Sequence, residues 1–391
     1  MPVGTVAAAP AAETARHIRV LHLVAWLVAG GPERWIVDLC EKGAAEGLDM
    51  DIAVVQDAYG VFEEKARLRG IPVYSCPGAG KPLVLIRNLR RLLRAHGPYD
   101  AIHCHLHAFS GFAVLAARLE GVPFRVIHAH NVVRNLSMSL SRRMYVLAAR
   151  TMIRAFATAG LAPSEAALED LLGPSWRQDP RWSILCCGID LEPFRAPISA
   201  ASSREALGIP ADALVLGSVG RIVEEKNSEF LVDILAAVLD RDPRAYLLLI
   251  GEGPLRERLI SKAREMGCGE RLVLPGTRSD VPAILRSAMD VFLFPSPLEA
   301  LGIAVVEAQA AGLPAIISDG VPPEAIIVPD LVSRLPVAAG AARWAEEALV
   351  QARRRDAGSA DRALAIVEQS DANCARSLTT LARLYAGKPA R

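Results

Sequence analysis

The chain has 391 residues, with 44 Lys and Arg against 43 Asp and Glu and a formal net charge of +1. At roughly 100–200 residues per domain that length gives two domains with substantial cores, and a near-neutral chain has no global field with which to hold nucleic acid. Hydrophobic residues make up 52% but aromatics only 5%, so the apolar excess is Ala, Leu, Val and Ile, which excludes wholesale disorder and suits layers of strands and helices.

Residues 1–17 are rich in Ala and Pro and lack both a basic start and a Leu-rich run, so they read as a loose tail rather than a signal peptide. The most apolar stretch, 300–318, carries Glu307 and Gln309 near its middle and Gly312 and Pro314 beyond, so no membrane span is expected and the protein should be cytoplasmic. Seven cysteines show no metal-ligand spacing and are expected to be buried free thiols.

Short β-branched runs then alternate with amphipathic stretches. Strands are predicted at 18–24, 51–55, 101–103 and 124–128, with a helix over 34–46 whose Trp35, Val37, Leu39 and Cys40 face the core. These belong to a first domain, 18–192. Residues 193–203, rich in Pro, Ala and Ser, read as a linker. In the second domain, 204–370, strands at 214–219, 246–250, 272–274, 291–294 and 315–318 alternate with helices at 228–240, 255–266, 281–288 and 303–311. The last segment, 371–391, has a helical pattern over 372–384 that periodicity alone does not place, and packing back on the first domain is one arrangement open to it. The fold class is α/β, with two doubly wound Rossmann-like domains facing each other, and such sheets bind ligands beyond the carboxyl ends of their strands, here in one shared cleft.

The second domain carries the chemistry. Gly220 and Arg221 end its first strand, and Lys226 and Asn227 precede the next helix, an arrangement suited to a diphosphate. Glu299 lies in the loop after strand 291–294 and Glu307 eight residues later. At 1.5 Å per residue a helix starting near Leu301 or Gly302 sets Glu307 roughly 7–8 Å further along its axis. An extended ligand with sugar hydroxyls at one end, ribose hydroxyls at the other and phosphate between them fits that spacing.

Gly220-Arg221 with Lys226-Asn227, Gly251-Glu252-Gly253-Pro254-Leu255, Gly276-Thr277-Arg278, and Glu299-Ala300-Leu301-Gly302 through Glu307-Ala308 resemble, in order and spacing, the donor domain of family 4 glycosyltransferases. Within that family the chain is most similar to enzymes of capsular and exopolysaccharide assembly. The resemblance implies a GT-B fold and transfer of a sugar, with retention and no required metal or cofactor, from a UDP- or GDP-sugar to a glycan or lipid-linked acceptor. It places Arg221, Lys226, Gly31 and the amides of Leu301 and Gly302 on the diphosphate, Glu299 on the donor sugar and Glu307 on the ribose. Gly253, Leu255, Thr277 and Arg278 fall beside the base. His130 matches a histidine that the family sets near the reacting sugar, where an unperturbed imidazole, titrating near pH 6.5, can donate or accept a proton. Pro32 after Gly30-Gly31, and Cys187 before Gly188 where Asn is commoner, depart from the family pattern.

All eight histidines lie at or before position 130, and His103, His105 and His107 alternate at a strand end. Cys104 is the only other ligand type beside them, so no metal site is expected. Over 83–94, Leu85, Ile86, Leu89, Leu92 and Leu93 share one helical face and Arg87, Arg90, Arg91 and Arg94 another; Arg134, Arg142, Arg143, Arg150 and Arg154 add a second basic stretch. Both could rest peripherally on an anionic membrane, or be solvated faces. A nucleotide-sugar epimerase on the same fold, separable by product analysis without acceptor, and a two-lobed solute-binding protein, which normally needs export, remain alternatives. A dinucleotide dehydrogenase is disfavoured because neither first strand is followed by Gly-x-Gly-x-x-Gly.

Overall fold

The computed structural model describes residues 17–28, 30–56, 60–133, 139–198, 204–354 and 358–388. The first sheet comprises β1 (Ile18–Val24), β2 (Leu48–Val54), β3 (Val73–Ser75), β4 (Ala101–Cys104), β5 (Phe124–His128), β6 (Ala159–Ala162) and β7 (Trp182–Ile184). All its pairings are parallel, in the order β3-β2-β1-β4-β5-β6-β7. The second sheet comprises β8 (Leu214–Val219), β9 (Ala245–Ile250), β10 (Leu272–Val273), β11 (Val291–Phe294), β12 (Ala315–Ile317) and β13 (Val332–Arg334), parallel in the order β10-β9-β8-β11-β12-β13. In each sheet the winding reverses beside the first strand, between β1 and β4 and between β8 and β11. A crevice opens at such a reversal.

Four strands have no counterpart in the sequence reading. β6 is Ala-Gly-Leu-Ala, without a β-branched or aromatic residue to signal it. Gly160 is nevertheless required there, since a Cβ would fall 2.1 Å from the Trp182 ring of β7. The helix expected over 34–46 runs Gly31–Lys42 and tightens into a 3-10 turn over Gly43–Glu46. Pro193 to Arg195, assigned to the linker, instead belong to a short helix, Glu192–Arg195, while 199–203 lie outside the described residues. Beyond that gap Arg204 forms a bidentate ion pair with Asp290, both contacts 2.7 Å, and Asp290 also accepts from the Val215 amide at 2.8 Å, tying residue 204 to β8 and to the residue before β11.

The C-terminal segment crosses back. Helix Ser359–Glu368 packs on the second domain, whereas helix Cys374–Tyr385 covers the first, its Leu378, Leu381, Leu384 and Tyr385 joining Val20, Trp35 and Val126 in one core. The Trp35 indole donates to Ser377 Oγ at 3.2 Å. Six of the seven cysteines are buried, Cys40 is half-buried, and all are free thiols. No described helix is long and apolar enough to cross a membrane.

Candidate active site

The expected donor residues gather where the second sheet reverses. After β8, Glu224–Lys226 form a 3-10 turn that ends at Asn227 in the left-handed region, φ 52°. Two bonds pin this turn to the loop after β11: Ser296 Oγ donates to the Glu225 carbonyl at 3.0 Å, and Asn227 Nδ2 to the Pro295 carbonyl at 3.4 Å. The pinning brings the Lys226 ammonium onto the Glu299 carboxylate, with which it forms an ion pair, and 5.4 Å above the Phe294 ring.

Helix Ile303–Ala310 begins where the periodicity predicts and ends one residue earlier. Gly302 is its N-cap at φ 86°, without a capping side chain, and Val305 N donates to the Gly302 carbonyl at 2.8 Å, so the Ile303 and Ala304 amides have no side-chain acceptor at the cap and no carbonyl within the helix. Gln309 fixes the helix from within: its Nε2 donates to Val305 and Ala325 carbonyls, and its Oε1 accepts from the Ile327 and Val328 amides, satisfying the buried amide completely. Loops after β8, β9 and β10 stack beside this helix end through Ile222 N to Glu252 O, Leu255 N to Ile222 O and Gly251 N to Gly276 O. Gly253 must lack a side chain, because a Cβ would lie 2.3 Å from the Ile222 carbonyl. Thr277 is exposed, and Arg278 is held by Asp280 at 2.7 and 2.8 Å.

The first domain closes on this end. A Cβ on Gly31 would lie 2.6 Å from Ile303 Cδ1, so the glycine loop touches the start of helix Ile303–Ala310. Next along the chain come two residues that the sequence reading passed over. Arg34 reaches Glu307 across the cleft, Nη1 to Oε1 3.6 Å, while also pairing with Asp38 at 3.7 Å. Glu33 is buried enough to push its carboxyl above the usual range, an effect opposed by its own backbone hydrogen bond and by the Arg221 charge. Burial likewise raises Glu307, with Arg34 opposing and Asp38 reinforcing the shift. The signal for both was their position directly behind Gly30-Gly31.

The histidines arrange themselves differently from expectation. His107 adopts φ 51° and turns to Asp170, Nε2 to Oδ2 3.0 Å. His103 and His105 are joined instead by His22, His128 and His130, because β1, β4 and β5 are neighbours and strand side chains alternate faces. His105 bridges the group, with Nε2 3.0 Å from His22 Nδ1 and Nδ1 2.7 Å from His130 Nε2. His130 Nδ1 faces Cys187 Sγ at 3.4 Å. Titration of His130 near pH 6.5 is therefore corrected: burial pushes it down to about 3, and the ring is neutral with both nitrogens engaged.

On helix Pro82–His96 the expected apolar face is inside, with Leu85, Leu89, Leu92 and Leu93 buried. The free basic face is smaller than expected: Glu120 binds Arg90 at 2.5 Å and Arg94 at 2.7 Å, leaving Arg87 and Arg91. In the second basic stretch Arg134 lies outside the described residues, and Arg150 and Arg154 cap the carbonyls of Asp170 and Leu172. Helix Leu140–Phe156 instead exposes Leu140, Met144 and Leu147 beside Arg142 and Arg143.

Residues 199–352 match the family model for glycosyl transferases group 1, and residues 30–186 that for the glycosyl transferase 4-like domain. A relative named as glycosyltransferase EpsF of Bacillus subtilis (strain 168) is 36% identical over 332 residues, 84% of this chain and 86% of that one. The chain belongs to the family 4 glycosyltransferases. An Escherichia coli UDP-Gal:alpha-D-GlcNAc-diphosphoundecaprenol alpha-1,3-galactosyltransferase is 28% identical, covering 64% of this chain and 66% of its own. Among solved structures, Anabaena HepE with UDP-glucose superposes with TM-score 0.78 at 19% identity over 95% of this chain and all of that one. The lipopolysaccharide glycosyltransferase WaaG superposes with TM-score 0.72 at 18% identity over the same shares. These likenesses show the GT-B fold, two α/β domains of mainly parallel sheet about a cleft.

Proposed function

We propose that this glycosyltransferase moves a sugar, with retention and without a metal at the diphosphate, from a nucleoside-diphosphate sugar to a glycan or lipid-linked acceptor in surface polysaccharide assembly. The observation that carries this reading is the Lys226–Glu299 pair beside the Gly302-capped end of helix Ile303–Ala310, with Glu307 one turn further on. Arg221, Lys226 and the Leu301 and Gly302 amides supply the positive field that the diphosphate needs as it leaves. Glu299 orients the donor sugar through its hydroxyls, and Glu307 takes the ribose. Gly31 admits the phosphates against Ile303, while Gly253, Leu255, Thr277 and Arg278 border the base. The acceptor hydroxyl attacks the anomeric carbon on the face from which diphosphate departs; its proton passes to the leaving phosphate oxygen. His130, neutral and held from both sides, shapes the floor under the sugar rather than delivering a proton from an imidazolium.

The acceptor fits the first domain. A cavity of about 370 Å³ is lined by His107, Phe109, Arg142, Tyr145 and Asp170, combining aromatic faces for sugar rings with polar groups for hydroxyls. Exposed Leu140, Met144 and Leu147 lie on the helix that also contributes Arg142 and Tyr145 to this cavity, which suits an acceptor whose lipid remains in an anionic membrane. The resemblance to UDP-sugar-binding HepE and to the diphosphoundecaprenol-directed E. coli enzyme supports both halves. Incubating the protein with radiolabelled UDP- or GDP-sugars and a lipid extract tests it: label should enter an acid-labile lipid-linked glycan, and isomerised free nucleotide sugar with no transfer would favour the epimerase.

A further inference from the structure

Behind the catalytic cleft, the first domain holds five imidazoles in contact. His22 and His103 are register partners on β1 and β4, and His105 and His128 extend the same sheet face toward the carboxyl edge. The side chains of His22, His103 and His128 are fully buried. Among the described residues His22 Nε2, His103 Nε2 and both nitrogens of His128 have no hydrogen-bond partner. Buried polar atoms are rarely left so, and of these His103 Nε2 lies in a group of imidazole nitrogens close enough to share one ligand. One nitrogen from each of His22, His103 and His105 lies within 4.8 Å of the others.

We propose that His22, His103 and His105 bind one first-row divalent transition-metal ion. The outer contacts are those a metal-bound imidazole requires. His103 faces the Tyr385 hydroxyl through Nδ1 at 2.6 Å, leaving Nε2 as ligand, and His105 faces His130 through Nδ1 at 2.7 Å, leaving its own Nε2. That Nε2 is 3.0 Å from His22 Nδ1, whereas two nitrogens on a tetrahedral ion with bonds of 2.0–2.1 Å are roughly 3.3 Å apart. A small outward adjustment of this pair exchanges their shared proton for the ion, with a His103 nitrogen within 4.8 Å of the group as the third ligand. Three neutral nitrogens and no carboxylate select zinc-like ions over magnesium or calcium. The site is separate from the diphosphate pocket and joins β1 and β4 to helix Cys374–Tyr385 through Tyr385, so its role is to fix the C-terminal helix on the first domain and, through His105, the orientation of His130.

The test is titration of the tag-free, chelator-treated full chain with Zn2+ by calorimetry, and with Co2+ by visible absorption. Wild type should bind one ion and show the ligand-field bands of nitrogen-bound tetrahedral Co2+. His22→Gln and His103→Gln should each weaken zinc at least about tenfold, and Tyr385→Phe about 10- to 100-fold, with circular dichroism confirming their folding. His17→Gln, at an exposed histidine paired with Asp49, should leave affinity unchanged. Absence of stoichiometric zinc binding or of the Co2+ bands in wild type overturns the proposal without any variant, as does unaltered affinity in a folded His22→Gln/His103→Gln double variant. None of these readouts depends on sugar transfer.

Discussion

Arg34 of the first domain and Glu307 of the second meet across the cleft at 3.6 Å, so the carboxylate proposed for the ribose already has a partner before any nucleotide arrives. Arg34 has Asp38 as a second partner on its own helix, which lets it release Glu307 without leaving its charge uncompensated. The exchange of one partner for another keeps the cost of donor entry small.

Glu307→Gln should weaken UDP or GDP binding by about 1.5–3 kcal/mol, read by calorimetry, because charge-accepted ribose hydrogen bonds are lost. It should also change the pH profile of stability. Burial raises the Glu307 carboxyl above its ordinary range, so the folded state holds that proton more tightly than the unfolded chain, and wild-type stability falls as pH rises from the ordinary range through the raised value. Melting temperatures measured across that range should therefore show the Glu307→Gln variant gaining on wild type as pH increases.

Lys226→Ala should lower kcat/KM by about 2 kcal/mol, roughly 30-fold, as for a charge-assisted contact to the leaving diphosphate. It also strands Glu299, whose side chain is only 10% exposed. Lys226→Ala/Glu299→Gln should accordingly be less damaging than the sum of its single variants, measured as a double-mutant cycle on kcat/KM. Transfer by wild type should need no added magnesium or manganese.

Gly302→Ala should destabilise the protein by about 1–2 kcal/mol in urea denaturation, the cost of a left-handed non-glycine residue. The new Cβ would also stand 3.2 Å from Phe294 Cε1, so nucleotide affinity should fall with it.

Membrane contact should follow helix Leu140–Phe156 more than helix Pro82–His96. Leu140, Met144 and Leu147 are 76%, 59% and 58% exposed, whereas two of the four arginines expected to meet lipid are bound to Glu120. In co-sedimentation with anionic liposomes, changing those three residues to Ser should reduce binding more than changing Arg87, Arg90, Arg91 and Arg94 to Ser. High salt should weaken wild-type binding only in part, since the apolar contribution is not screened.

The sequence by itself determined two α/β domains and the strand ends that carry Arg221, Lys226, Glu299 and Glu307, because these are local. Strand and helix periodicities repeat within a few residues, and Arg221, Lys226, Glu299 and Glu307 follow the ends of two strands that share one sheet reversal. Tertiary structure alone decided what meets across long separations. His22, His103 and His130 are distributed over three strands and their ends, Tyr385 completes their surroundings from the far end of the chain, and Glu120 claims arginines from another helix. Periodicity shows which face a side chain occupies but not which strand lies beside it. The contacts that neutralise Arg90 and Arg94, bring Arg34 to Glu307 and leave imidazole nitrogens unpaired therefore appear only once the sheets are ordered and the domains face each other.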